Sequence, residues 1–210
     1  MIRARWTAGV AVLSVAATVV AVTSAAVIDW VLADATGVSR GEWWRLLTGP
    51  LVHAGPAHLF IDVGVLLAVG LLYEPRLPRA WPWLIGAGLV IPTAVVMAAI
   101  PDLQRYYGIS GLTHSLLAAA VALEMFDPRR RLWAGLFGAA LLGKVVWELA
   151  ATAAVAPLAA GVEPVPLVHL VGLAVGAIGV GLGYQPTPSS NDANGWSRDC
   201  GTASSGAWRK

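Results

Sequence analysis

Long apolar runs, separated by short clusters of Arg, Pro, Gly and Asp, set the pattern along this chain. A bilayer core requires about 20 mostly apolar residues per helix, with a range of roughly 17–25. Six runs answer to that length, at residues 7–33, 57–73, 81–100, 109–126, 132–155 and 166–184. They predict six membrane-spanning helices in one domain over 1–184, an all-α membrane protein. The second run is short and is expected to start near the interface. The first resembles a secretory signal at its edges, with Met-Ile-Arg-Ala-Arg before it and Thr-Ser-Ala-Ala near its end. Its apolar stretch exceeds the roughly 7–15 residues of a signal core, so it is read as a retained span. Residues 185–210 are rich in Ser, Gly, Asn and Asp and lack apolar periodicity, which predicts a disordered tail. No internal repeat or second domain is evident.

Composition agrees with that pattern. The chain is 57% hydrophobic and 12% charged, with mean hydropathy +0.69; a soluble domain carries about 25% charged residues. The net charge of +2 does not indicate nucleic acid, because the basic residues sit in short loops. Their distribution is topological information instead. With the N-terminus inside, Arg3, Arg5, Arg76, Arg79, Arg129, Arg130 and Arg131 are cytoplasmic. Arg40, Arg45 and Arg105 are outside, and the tail is cytoplasmic. A bacterial inner (plasma) membrane is the expected location, and the lipid bilayer the expected surroundings. The single cysteine, Cys200, permits neither an intrachain disulfide nor a cysteine metal cluster.

Ionisable residues inside spans are costly and usually face a bundle interior. Here they are His58 and Asp62 in the second span, His114 beside Ser110 in the fourth, Lys144 and Glu148 in the fifth, and His169 in the sixth. Glu124, near the end of the fourth, is expected to snorkel. In the inferred topology Ser110, His169 and His58 share one shallow level near the outer face, although they come from distant segments. A serine hydroxyl becomes a nucleophile when a base takes its proton, and neutral imidazole suits that role. Gly108 and Gly111 flank Ser110 and let backbone and substrate approach. A serine at a helix start also lies among unpaired N–H groups and the positive end of the dipole, which favour a developing oxyanion. Taken alone, Gly-x-Ser-Gly reads first as a helix-packing motif. His169 shares its stripe with Gly172 and Gly176, and Gly179 follows, so a neighbouring helix can come close there.

These residues together resemble the rhomboid family of intramembrane serine proteases. The resemblance runs over most of residues 41–184, through "GEWWRLLTGPLVHAGPAHLFIDVGVLLAVGLLYE", "YYGISGLTHSLLAAA" and "VHLVGLAVG". It is nearest the rhombosortase-like branch, where Gly-x-Ser-Gly is followed by a histidine, here His114, and the fifth helix carries a Lys…Trp-Glu pattern, here "GKVVWEL". The resemblance implies a six-transmembrane-helix bundle without a cofactor or metal. It implies a dyad of Ser110 as nucleophile and His169 as base, with no acid. It also implies an oxyanion hole from the Ser110 N–H, the His58 side chain and the residue four beyond His58. That residue is usually asparagine and is Asp62 here. An ionised carboxylate would repel an oxyanion, whereas a protonated one donates to it. The implied substrates are transmembrane proteins cut near the outer membrane face. For the rhombosortase-like branch these are exported proteins with a C-terminal sorting signal.

The same residues admit other readings. His114 is a rival base, one turn below Ser110, although supporting the site from behind or packing suits it better. Lys144 and Glu148, an i, i+4 pair, read first as mutual neutralisation. His53 reads as interfacial, and Trp43, Trp44 and Arg45 as a loop helix flat in the outer leaflet. Asp62 favours a catalytically inactive relative that binds membrane helices. His58, Asp62, His114 and His169 could in principle bind zinc, but no His-x-x-x-His pair occurs.

Overall fold

The computed structural model describes residues 4–151 and 165–183. The tail, Cys200 and the end of the fifth expected span, 152–155, lie outside the described residues. The described chain forms helices α1 (Arg5–Thr23), α2 (Ala25–Val31), α3 (Ala35–Ser39), α4 (Arg45–Thr48), α5 (Pro56–Tyr73), α6 (Trp81–Ala99), α7 (Ser110–Met125), α8 (Arg131–Ala151) and α9 (Pro166–Gly183). Among the described residues there is no strand, only an isolated bridge between Ala33 and Tyr106. Among the described residues four helices are long and apolar enough to cross a membrane: α1, α5 with the turn after it, α6 and α8. α9 is a shorter apolar helix, and α7 has only 16 residues.

Proline starts several of these helices, at Pro56 in α5, Pro82 in α6 and Pro166 in α9. Its fixed φ suits the first turn, where its missing N–H has no intrahelical role. α7 is the central post, packed against α5, α6, α8 and α9. Leu112, Leu116, Ala119 and Leu123 of α7 join Leu66, Trp81, Leu84 and Val180 in the main core. A helix with apolar contacts on all sides belongs in the interior of a bundle. Outward-facing apolar side chains such as Phe60, Trp83 and Leu182 stay exposed, as a lipid-facing surface requires.

Glycine sets the closest helix pair. A Cβ on Gly172 would strike the Gly111 carbonyl, and one on Gly176 would strike that of Ser115. The small-residue stripe of α9 thus receives α7, while Gly179 lies against Leu84 of α6.

The start of the chain differs from the expected single run over 7–33. α1 ends at Thr23, and Ser24 is extended (φ −152°, ψ 123°) before α2. The local cause is a β-branched stretch, Val19-Val20 and Val22-Thr23, whose last hydroxyl donates back to the Val20 carbonyl at 2.6 Å. α2 is then held from its far end. Arg45 donates to the carbonyls of Asp29 and Leu32, both at 2.6 Å, and pairs with Glu42 and with Asp34 at 3.2 Å. The stretch read as a flat loop helix is therefore the single helical turn α4, and its arginine points into the protein. Trp44 stacks on Trp30 at 5.7 Å.

At the opposite end, α1 lacks a side-chain cap of its own. Glu74, after α5, supplies one from outside. Its carboxylate accepts from the N–H of Trp6 and of Thr7, each at 3.0 Å, and from the Thr7 hydroxyl at 2.7 Å. The Thr7 oxygen in turn accepts from the Trp81 indole at 3.0 Å. Negative charge at a helix N-terminus is favourable, and here it ties α1, α5 and α6 together. Glu124 does not snorkel as expected. It is buried and pairs with Arg76 and, at 3.2 Å, with Arg130. Two guanidiniums within reach make inward pairing better than exposure.

Candidate active site

Ser110 is the first residue of α7, following Ile109 at the N-cap. The first N–H groups of a helix have no intrahelical acceptor, so donors converge where the Ser110 side chain emerges. Gly108 shapes the approach. Its φ is +89°, and its N–H donates to the Val52 carbonyl at 2.7 Å. A Cβ there would lie 2.5 Å from His58 Nε2 and 3.0 Å from Asp62 Oδ2. This position needs glycine for the backbone angle and for the space. The loop is thereby pressed directly onto His58, two residues before Ser110.

Tyr106, which sequence reasoning passed over, completes this loop. Its N–H donates to the Ala33 carbonyl at 2.9 Å. Its phenol oxygen faces the Ser110 side chain and the Gly111 N–H. Burial pushes the phenol well above its ordinary pKa, so it stays protonated. Its place four residues ahead of Ser110 carries no helical periodicity, because the chain between them is a loop.

His58 and Asp62 share one face of α5. Asp62 Oδ2 lies 3.3 Å from His58 Nε2 and 3.3 Å from His53 Nε2, all three side chains being buried. Both approaches are too oblique to count as aligned hydrogen bonds. They are close electrostatic contacts nonetheless. His53 is thus not interfacial, as the loop position suggested. It is 2% exposed, its N–H donates to Thr18 Oγ1 at 3.1 Å, and its Nδ1 lies 3.3 Å from the same hydroxyl. The spacing from Asp62 carries no repeat signal, since the loop and Pro56 intervene.

His169 stands one turn ahead of Gly172 on α9. Because Gly172 sits against the first turn of α7, the His169 ring stacks on His114, with centroids 4.1 Å apart and planes 14° from parallel. His114 Nδ1 is 2.7 Å from the Ser110 carbonyl. α8 supplies the remaining partners. Glu148 Oε2 lies 2.9 Å from His169 Nδ1 and 2.9 Å from Lys144 Nζ. Lys144 Nζ also lies 3.1 Å from His114 Nε2 and 3.2 Å from His169 Nδ1. The pair read as mutual neutralisation does neutralise itself, and it is bonded to both imidazoles as well.

The structure therefore gathers the named residues into two groups around the start of α7. His58, Asp62, Gly108 and His53 form one. His114, His169, Lys144 and Glu148 form the other, with Gly111 in the α7–α9 contact. The four residues considered for zinc divide between these groups, and no set of three or more ligands for a metal ion occurs among the described residues. The arrangement sets two stacked imidazoles and an ion pair beside the first turn of the helix that Ser110 begins.

Comparison with known proteins adds one finding. Residues 40–185 match the family model described as a Rhomboid domain, about 70% of the chain. No curated protein matches the sequence.

Proposed function

Because the chain belongs to the rhomboid family of intramembrane proteases, we propose that it is a serine endopeptidase that cuts transmembrane substrates near the outer membrane face. Ser110 is the nucleophile and His169 the general base. The supporting observation is the α7–α9 contact, which brings the His169 ring beside the first turn of the helix that Ser110 begins. α7 is also short. Sixteen residues at about 1.5 Å each span roughly 24 Å, less than the ~30 Å hydrocarbon core. Its first residue then starts below the membrane surface, at a depth where a substrate helix has backbone to offer once locally unwound.

The reaction follows from that placement. Ser110 Oγ attacks the scissile carbonyl while its proton passes to His169 Nε2. The oxyanion is met by the Ser110 N–H and the His58 side chain. The proton then goes to the leaving amide nitrogen as the C–N bond breaks, and water releases the acyl group by the same steps reversed. In this reading α1, α5, α6, α7, α8 and α9 are the six spans, with the N-terminus inside. The substrates are of the rhombosortase type, exported proteins carrying C-terminal sorting signals.

A fluorophosphonate probe tests the reading in detergent-solubilised protein. Wild type labels, and Ser110→Ala and His169→Ala do not. Labelling of Ser110→Ala as fast as wild type would sink the nucleophile assignment. A second reading, an inactive family member that binds membrane helices, is favoured by Asp62, held between two histidines rather than replaced by a neutral donor. It predicts that wild type does not label and that Asp62→Asn gains labelling.

A further inference from the structure

We infer that Glu148 is the orienting acid of this site, so that the machinery is a Ser110–His169–Glu148 triad rather than a dyad. The inference rests on the serine-protease reading above.

The carbonyl of Ser110 can only accept, so His114 Nδ1, 2.7 Å away, carries the hydrogen. Neutral His114 then has a lone pair on Nε2. Lys144, which has donors and no acceptor, gives it a hydrogen at 3.1 Å. A second Lys144 hydrogen goes to Glu148 Oε2 at 2.9 Å. His169 Nδ1 faces two candidates, Glu148 Oε2 at 2.9 Å and Lys144 Nζ at 3.2 Å. Only one can be its partner, because the carboxylate requires a hydrogen on Nδ1 and the ammonium requires a lone pair. The shorter contact, between a carboxylate and a ring nitrogen, assigns Nδ1–H to Glu148, while Lys144 is already held by His114 and Glu148 without it.

That assignment has a chemical consequence. With the hydrogen on Nδ1, Nε2 is bare and can take the Ser110 proton. If Lys144 were the partner, Nε2 would carry the hydrogen and could not act as a base. Glu148 therefore selects the competent tautomer. It also faces the imidazolium that forms in the transition state, in the role the acid has in other serine triads. The other charged or titratable groups around His169 are Lys144 on the same helix as Glu148, His114 on α7 and, more distantly, Asp62 on α5. Glu148 touches neither substrate nor Ser110, so it is a positioning residue. Lys144 pairs with the carboxylate beside His169, and holds His114 beneath the ring.

The test uses full-length protein with ¹⁵N-labelled histidine, in which only four histidines give signals, read by NMR alongside fluorophosphonate labelling. In wild type His169 shows a protonated Nδ1 and a bare Nε2. In Glu148→Gln the proton moves to Nε2 and the labelling rate falls by about 10²–10⁴-fold. The double variant Lys144→Met/Glu148→Leu removes both charges together, leaving no unpaired one, and labels as poorly as Glu148→Gln. If the pair served only to neutralise itself, the double variant would label like wild type, which overturns the inference. A protonated Nδ1 persisting in Glu148→Gln with unchanged labelling overturns it equally. Absence of labelling in wild type instead refutes the protease reading, while the tautomer measurement still decides the Glu148–His169 bond.

Discussion

Replacing Gly172 by alanine tests whether the α7–α9 approach is what seats His169. The added methyl would strike the Gly111 carbonyl and lie 3.2 Å from His114 Cβ. Both obstacles belong to the frame of α7 and cannot rotate aside, so α9 must move as a body. Overpacking of this kind costs about 1–3 kcal/mol. For a chain of this size each kcal/mol is worth roughly 2–4 °C, so a fall in Tm of about 2–12 °C is expected. Gly181 supplies the control on the same helix, since a Cβ there meets nothing within 4 Å. Gly181→Ala keeps the general gain of alanine over glycine in a helix, about 0.5–1 kcal/mol, and should be neutral or slightly stabilising. Thermal unfolding in detergent, followed by circular dichroism, compares the two. Gly172→Ala should also lose fluorophosphonate labelling at temperatures where it is still folded, because the 4.1 Å ring stack opens. A Tm for Gly172→Ala equal to or above that of Gly181→Ala would refute the reasoning.

Three further outcomes follow from separate parts of the structure. Glu74→Ala leaves two backbone N–H groups of α1 and the Thr7 hydroxyl without their acceptor; at about 1–3 kcal/mol per orphaned donor, it should lower Tm markedly without touching labelling in the folded fraction. Arg45→Lys cannot reproduce a guanidinium that reaches two carbonyls, Asp34 and Glu42 at once; a loss of about 1.5–3 kcal/mol per charge-assisted bond is expected, read as earlier unfolding and faster proteolysis near Ser24. Gly108→Ala sets a methyl against His58 at a backbone angle costing roughly 1–3 kcal/mol. It should reduce labelling far more than Tm, and equal losses in both would speak against a local effect.

The glycines at 108, 172 and 176 show how far pattern alone reaches. A stripe of small residues marks a face for close packing, and the structure supplies α7 as the partner. The helices themselves were legible because apolar runs of that length have few alternatives in a membrane protein. The break at Ser24 was less so, since hydropathy is blind to a β-branched crowd inside an apolar run. His53, Tyr106 and Glu124 were misjudged or missed for a common reason. Each lies at a helix end or in a loop, where neither period fixes what a side chain meets. His53 and Tyr106 meet Asp62 and Ser110 across a loop whose path no periodicity gives, and Glu124 meets Arg130 across the turn after α7 and Arg76 from a distant segment.

The sequence by itself determined that this is a helical membrane protein, which of its segments are apolar enough for spans, and which polar side chains must be explained. Those follow from the cost of putting charge and unpaired backbone in hydrocarbon, a cost local to each segment. It also presented Lys144 and Glu148 as neighbours, because i and i+4 share a helix face. Only the tertiary structure decided that α8 turns this face toward α9, so that the carboxylate meets His169 at 2.9 Å. Which nitrogen of an imidazole carries its hydrogen depends on partners from other helices, and no periodicity along one chain encodes that.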